Sequence, residues 1–280
     1  MASAASTAGK SKSFSHLVEI IPDHVWMFST PFRFFGGLLP INNNGLIIRA
    51  RRKGTGEPVL VAANAPELSP SLVNDINQVQ TSTGAKVEVV LGTDWHHLFT
   101  KSWAEAFPGV QVLFSGTRGW RQHEQETFNK QVLDRKEPTV PDVDESTLKL
   151  VPWLGFDGVS THHPDDKRRG EFSVYLPEHK LLYIFDVLIP MIPFKRMLGF
   201  HATPPTESEM PTPGSNFGKK LAGFRIAEPE LCAQSAKALL ALDVETLCFS
   251  HGDMQFGAVR RGKQSVAAAM AGLKTLIPPQ

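Results

Sequence analysis

The chain of 280 residues has only two cysteines, two tyrosines and no surplus of either charge. Lys and Arg number 29 against 28 Asp and Glu, a formal net charge of +1. That balance supports neither a nucleic-acid-binding face nor a solvating acidic tail. The cysteines, Cys232 and Cys248, lack C-x-x-C spacing, which excludes a disulfide framework and a zinc knuckle. Both are expected as buried thiols in a reducing compartment. No apolar run approaches the about 18 residues of a membrane span. The opening "MASAASTAGKSKS" has no apolar core of a signal peptide and no arginine of a transit peptide. Residues 1–15 are expected as a disordered tail, and a cytoplasmic location follows as an expectation. Also missing are the G-x-x-x-x-G-K-[ST] phosphate loop, a G-x-G-x-x-G after the first strand and the G-x-S-x-G nucleophile elbow. Phosphate-cradle and serine-hydrolase chemistry lose their usual support.

What is present is ordinary globular composition, with 41% hydrophobic and 20% charged residues. The length allows a sizeable core. The basic clusters Arg49–Lys53 and Lys167–Arg169 flank turn-like glycines and are read as solvated hairpin tips. "HLVEIIPDHVWMFST" has a strand pattern broken at Pro22–Asp23, and "TPFRFFGGLLPINNNG" reads as a loop. "GLIIRARRKGTGEPVLVAANAP" reads as two strands joined by a glycine turn. Ser69 and Pro70 open a helix with Leu72, Val73, Ile76 and Val79 on one face, and Gly84 closes it. "VEVVLGT" is a strand. The stretch "DWHHLFTKSWAEAFPG" starts a second helix with Phe99, Trp103, Ala106 and Phe107 aligned, and "VQVLFSG" is the next strand.

A helix is expected around 122–132, followed by strands in "LKLVPWLG", "GVSTHH" and a hairpin turning at Pro177–Glu178. Residues 190–222 read as loop. "EPELCAQSAKALLALD" is a helix, "VETLCFSHGD" a strand and "KQSVAAAMAGLKTLI" the final helix. Strand-rich blocks followed by strand–helix units predict an α/β fold with two sheets face to face and helices outside, a four-layer α/β/β/α sandwich. No Pro/Gly/Ser linker divides it, so residues 16–280 are expected to form a single domain.

Histidines and aspartates recur at expected strand ends. Asp94, His96 and His97 follow "VEVVL", His162 and His163 end "GVSTHH", Asp186 ends "LLYIFD" and His251 ends "TLCFSH". Ligands of α/β sheets bind beyond the carboxyl ends of strands. Imidazole and carboxylate are donors for zinc and for iron or manganese. His96 and His97 are also expected at a helix N-terminus, whose dipole disfavours imidazolium and keeps the rings in the coordinating form. His162 and His163 are consecutive in a strand, so at most one is expected to enter a shared site. Each residue alone also fits an ordinary turn or cap; their joint placement is what suggests a site. His16, His24, His123, His179 and His201 are read as surface or loop residues.

The layout resembles the metallo-β-lactamase superfamily over about residues 17–275. That family carries T-H-x-H-x-D-H between a strand and a helix, then a lone His, an Asp closing a hairpin strand and a late His-Gly. "LGTDWHHL" aligns to it without gaps. Gly92 takes the first histidine position, Asp94 the second, His96 the aspartate position and His97 the last histidine. His162, rather than His163, resembles the lone His, Asp186 in "SVYLPEHKLLYIFDVL" the bridging aspartate, and His251 in "FSHGD" the late histidine. The chain is also similar to an uncharacterised branch with an Asn/Asp-x-x-His-His variant and a W-x-F-S-T-P-like start.

The resemblance implies a metallo-β-lactamase-like fold and a divalent metal, with zinc first and iron or manganese next. It implies His96, His97, His162, Asp186 and His251 as metal residues, with Asp94 and Asp186 as catalytic. One of the family's two metal positions is depleted by Gly92 and Asp94. The implied activity is hydrolysis of an ester, thioester, amide or lactone in a small-molecule substrate by metal-bound hydroxide. The alternative is a non-catalytic metal- or ligand-binding member. If four ligands close the ion it is structural or inhibited; if three bind, a place for water remains. The apolar segment "VLIPMIPFKRMLGF" after Asp186 either lines a pocket mouth or packs on a sheet edge. Neither nucleic acid nor a membrane span is expected, and the oligomeric state is not legible.

Overall fold

A computed structural model of the chain describes residues 16–34, 39–93, 96, 99–115, 130–134, 136–158, 171–185, 224–252 and 258–279. The first sheet holds seven strands in chain order: β1 (Leu17–Ile21), β2 (Val25–Phe34), β3 (Leu39–Arg51), β4 (Pro58–Ala63), β5 (Val87–Gly92), β6 (Gln111–Ser115) and β7 (Lys130–Leu133). β1 to β4 pair antiparallel, and β4 to β7 pair parallel. Helices α1 (Pro70–Thr83) and α2 (Thr100–Ala106) make the crossovers between β4, β5 and β6.

The second sheet contains β8 (Lys149–Trp153), β10 (Glu171–Leu176), β11 (Leu181–Ile184), β13 (Thr246–Phe249) and β14 (Val259–Arg261), with β13 parallel to β11. Two short strands, β9 (Phe156–Gly158) and β12 (Phe224–Ile226), form a separate pair. Helices α3 (Pro229–Leu240) and α4 (Lys263–Met270) follow in the second half, and a 3₁₀ segment, Ala271–Leu276, extends α4.

Alternation along the strands makes the layers. In β4, Val59, Val61 and Ala63 join the core between the sheets, while Leu60 and Ala62 face α1 and α2. In β11, Leu181 and Tyr183 point into the same central core, and Leu182 and Ile184 pack under α3 and α4. Strands covered on both faces read as continuous apolar runs, which is why "VLVAA" and "LLYI" carry almost no polar residue. The result is the expected four-layer α/β/β/α sandwich, with two sheets and four α-helices among the described residues.

Local signals hold at α1. The Ser69 hydroxyl caps the Leu72 N–H at 3.2 Å, and Gly84 ends the helix at φ 68, a backbone state that glycine adopts without a side-chain clash. Leu72, Ile76 and Val79 are buried; Val73 is half-buried and Asp75 takes the remaining buried position, accepting the His16 N–H at 2.7 Å.

Four expectations are corrected. "TPFRFFGGLLPINNNG" is largely strand: Thr30–Phe34 continues β2, and Leu39–Gly45 opens β3 in an antiparallel register that pairs Pro31 with Asn42 and Ser29 with Asn44, with residues 35–38 outside the described residues. Cross-strand pairing over ten residue pairs outweighs the poor strand propensity of the prolines and asparagines. The helix expected around 122–132 ends in strand β7, which parallel pairing to β6 holds; residues 122–129 lie outside the described residues. Ala106 is exposed, so the buried face of α2 is Trp103 with Phe107 just beyond the helix. The Arg49–Lys53 cluster is also more than a solvated tip. Arg51 pairs with Glu178 of the second sheet's hairpin, and Arg52 with Glu88. Lys167–Arg169 and 190–222 lie outside the described residues.

Candidate metal centre

Four chain segments converge at the carboxyl ends of the parallel strands. Asn64 follows β4, His96 follows β5, Phe185 follows β11 and His251 follows β13. β4 and β5 are neighbours in one sheet, β11 and β13 in the other, so the site straddles the seam between sheets. His96 is 4% exposed and His251 5%. Their ring centroids lie 4.9 Å apart at 38°, and the Phe185 ring lies 5.5 Å from His96.

The seam is closed by the "INNNG" run of β3. Asn44 N–H donates to the Ser250 carbonyl at 2.6 Å, and its side-chain amide donates to the carbonyls of Phe249 and Gly252 at 3.1 and 3.0 Å. The Tyr183 hydroxyl donates to the Asn44 carbonyl at 2.7 Å, and Asn43 forms a bridge with His251. Ser250 in turn bonds back to the second sheet. Its N–H reaches the Ile184 carbonyl and its hydroxyl the Phe185 carbonyl, both at 3.0 Å. β3 thereby stitches the first sheet to the end of β13.

Each histidine uses Nδ1 inside this framework. His96 Nδ1 lies 3.1 Å from Asn64 Oδ1, and His251 Nδ1 lies 2.9 Å from the Asn42 carbonyl oxygen. His96 does not stand at a helix N-terminus, as expected from sequence. It sits in a turn, its N–H on the Thr93 carbonyl at 3.0 Å, and α2 starts only at Thr100 with Phe99 in the cap position. Hydrogen bonding, not a helix dipole, conditions this ring.

The position matched to the family's first histidine is closed. A Cβ on Gly92 would meet the Phe114 ring at 2.6 Å and the His96 carbonyl oxygen at 2.9 Å. No side chain fits without moving the turn that carries His96. Both cysteines are also out of play as nucleophiles. Burial pushes the Cys232 thiol up to about 11 and the Cys248 thiol up to about 12.

Of the expected site residues, the structure brings His96 and His251 together. Asp94, His97, His162, His163 and Asp186 lie outside the described residues. Among the described residues no group of three or more His, Cys, Asp and Glu is placed to hold a metal ion. Two observations bear on whether the donor set fits one. The paired imidazoles come from separate strand ends and each engages a protein oxygen through Nδ1, the usual setting of a metal-ligating histidine. Phe185, the chain neighbour of Asp186, packs on His96. The described residues thus bring two imidazole donors together, part of the donor set that a divalent ion needs. Sequence reasoning missed Asn42, Asn43, Asn44 and Asn64. The available signal was three consecutive asparagines before an apolar run, an odd composition for a strand unless its polar groups are used.

The fold and this seam define a class: a two-sheet α/β/β/α protein with histidines from both sheets at the carboxyl edge. Comparison with solved structures places it among the metallo-β-lactamase folds. A metallo-β-lactamase from Pontibacter korlensis is 14% identical, with 92% of this chain and 98% of that one covered at a TM-score of 0.50. One from Erythrobacter litoralis is 15% identical, with 94% and 95% covered at 0.52. A β-lactamase domain protein from Burkholderia ambifaria is 15% identical, with 96% and 77% covered at 0.52. No family model matches the chain, and no curated protein matches it. The fold is thus the metallo-β-lactamase fold in a divergent sequence. Among the described residues no helix is long and apolar enough to cross a membrane.

Proposed function

We propose that this protein is a metal-dependent hydrolase acting on an ester, thioester, amide or lactone bond of a small molecule. The observation that carries the proposal is the buried His96–His251 pair, with ring centroids 4.9 Å apart, at the carboxyl edge of a metallo-β-lactamase fold. His96 and His251 hold the ion and Asp186 completes a set of three, which leaves a place for water, with His97 and His162 the next candidates. A divalent ion bound there, zinc first and iron or manganese next, polarises a carbonyl and brings the pKa of water toward about 7. Asp94 orients water or a neighbouring imidazole through its carboxylate. Gly92 keeps the family's other metal position closed, so one ion serves the chain.

That same closure favours a second reading, a protein that keeps the fold to bind a metal or ligand without turnover. Elemental analysis of protein purified without chelator tests the shared premise. About one divalent ion per chain is expected, lost in His96→Ala and Asp186→Ala; metal-free wild type would sink it. Turnover of ester and thioester substrates, lost in Asp186→Ala, separates the enzyme from the binder.

A further inference from the structure

Asn64 has an amide whose orientation is fixed from both ends. Its Oδ1 accepts the Ala65 backbone N–H at 2.7 Å, a group that can only donate. Its Nδ2 donates to the Asn44 carbonyl at 2.6 Å, a group that can only accept, and to Asn43 Oδ1 at 2.7 Å. Both N–H bonds and one of the two acceptor positions of the side chain are thereby used, which leaves one acceptor position on Oδ1. The backbone N–H is used as well, on the Leu91 carbonyl at 2.9 Å. Asn64 is fully buried and holds φ 72, a left-handed state that asparagine, aspartate and glycine adopt most readily.

This orientation leaves His96 no choice of role. With Asn64 Oδ1 as acceptor, Nδ1 of His96 must carry the hydrogen, so the neutral ring has its lone pair on Nε2. His251 is constrained in the same way by a different atom of the same run, since the Asn42 carbonyl can only accept from Nδ1. The two histidines come from different sheets and from positions far apart in the chain. One strand, β3, serves both: Asn42 directly for His251, and Asn43 and Asn44 through Asn64 for His96.

We infer that Asn64, locked by Asn43 and Asn44 of β3, is a positioning residue that presets Nε2 of His96 as a metal-coordinating nitrogen, while the Asn42 carbonyl does the same for His251. The inference rests on the metal reading proposed above for what the nitrogens do. The tautomers themselves are decided without metal. A free neutral histidine favours the proton on Nε2, so two adjacent rings with the proton on Nδ1 are the mark of this framework. Oxygen partners on the second ring nitrogen typically change metal affinity by about 10–100-fold when removed.

The test is nitrogen NMR of metal-free full-length protein labelled with ¹⁵N-histidine, at about pH 8, above the ordinary imidazole range. The His96 and His251 signals are assigned by their loss in His96→Gln and His251→Gln. Both wild-type rings are expected as the Nδ1–H tautomer; an Nε2–H tautomer at His96 overturns the proposal. In Asn64→Gly, which keeps the left-handed backbone, His96 is expected to lose that preference while His251 keeps it. Zn²⁺ affinity should fall about 10–100-fold. Asn64→Asp keeps an oxygen opposite Nδ1 but loses both amide donor bonds to Asn43 and Asn44, so it is expected to keep the tautomer at a lower stability. An unchanged His96 tautomer in Asn64→Gly overturns the positioning role. If Asn64→Gly does not fold, the wild-type tautomers and Asn64→Asp still decide the matter. If the tautomers hold and no ion binds at any concentration, the metal reading fails and the positioning stands.

Discussion

Gly92 shows how one atom decides the capacity of this site. The backbone at 92 runs beneath the Phe114 ring and against the His96 carbonyl, so a Cβ would sit 2.6 and 2.9 Å from them. Phe114 is 3% exposed and cannot swing into solvent. Gly92→Ala is therefore expected to destabilise the fold by about 1–3 kcal/mol, the usual range for overpacking a filled site, read as a lower denaturation midpoint. Gly92→His, which would restore the family's first histidine, should not add a second ion. A rise to two ions per chain in that variant would show that the site can open. Phe185 matters at the same scale: it stacks edge-on against Phe172 and Tyr183, at 5.4 and 5.0 Å, and gives the His96 ring a firm wall.

The scale of elements belongs to the two hairpin ends that meet at the opposite edge of the sandwich. His24, in the β1–β2 turn, and His179, in the β10–β11 turn, have ring centroids 4.5 Å apart at 55°. His24 Nδ1 is held by the Pro22 carbonyl at 2.9 Å, and the neighbouring Arg51–Glu178 pair ties β3 to the same hairpin. Burial lowers the pKa of His179, and the nearby His24 adds to that; Glu178 opposes it. The unfolded chain therefore takes up a proton at His179 before the folded chain does. Stability from this contact is full above the ordinary value of 6.5 and is lost as pH falls from there toward the lower folded value. His179→Gln is expected to lose less stability than wild type between neutral and acidic pH in denaturant titrations. Equal losses would remove this contact as the cause.

For the molecule as a whole, the seam between sheets is the informative place. The central core is apolar, but its carboxyl edge is closed by the buried polar groups of Asn43, Asn44, Asn64, Ser250 and the two histidines. An ion bound by histidines from both sheets stabilises the folded chain by mass action, about 2.7 kcal/mol at a free concentration 100 times its Kd. Chelation of metal-loaded protein should lower Tm, and added Zn²⁺ should restore it. In His251→Ala the shift should shrink, because one of the ligands proposed from the second sheet is lost. A chelator-insensitive Tm in metal-loaded wild type would mean that the ion does not bridge the sheets.

Much of this architecture was legible in the chain. Ser69, Pro70 and Gly84 mark the ends of α1 through contacts within a few residues, and the turn at Pro177–Glu178 follows from local chemistry. The two-sided apolar runs of β4 and β11 pointed to covered sheets and so to the four-layer arrangement. His96 and His251 were expected at strand ends, and the structure places both after strands and beside each other. What the tertiary structure alone decided depends on partners distant in sequence. "INNNG" looks like a loop until β2 pairs with it along its length. The helix start expected at His96 lies at Thr100, and the His96 N–H bonds instead to the Thr93 carbonyl. The ring nitrogen that each histidine presents is fixed by Asn64, 32 positions from His96, and by Asn42, 209 positions from His251. Residue type and spacing announce where a histidine stands, but a tautomer is set by the one atom opposite Nδ1, and folding chooses that atom.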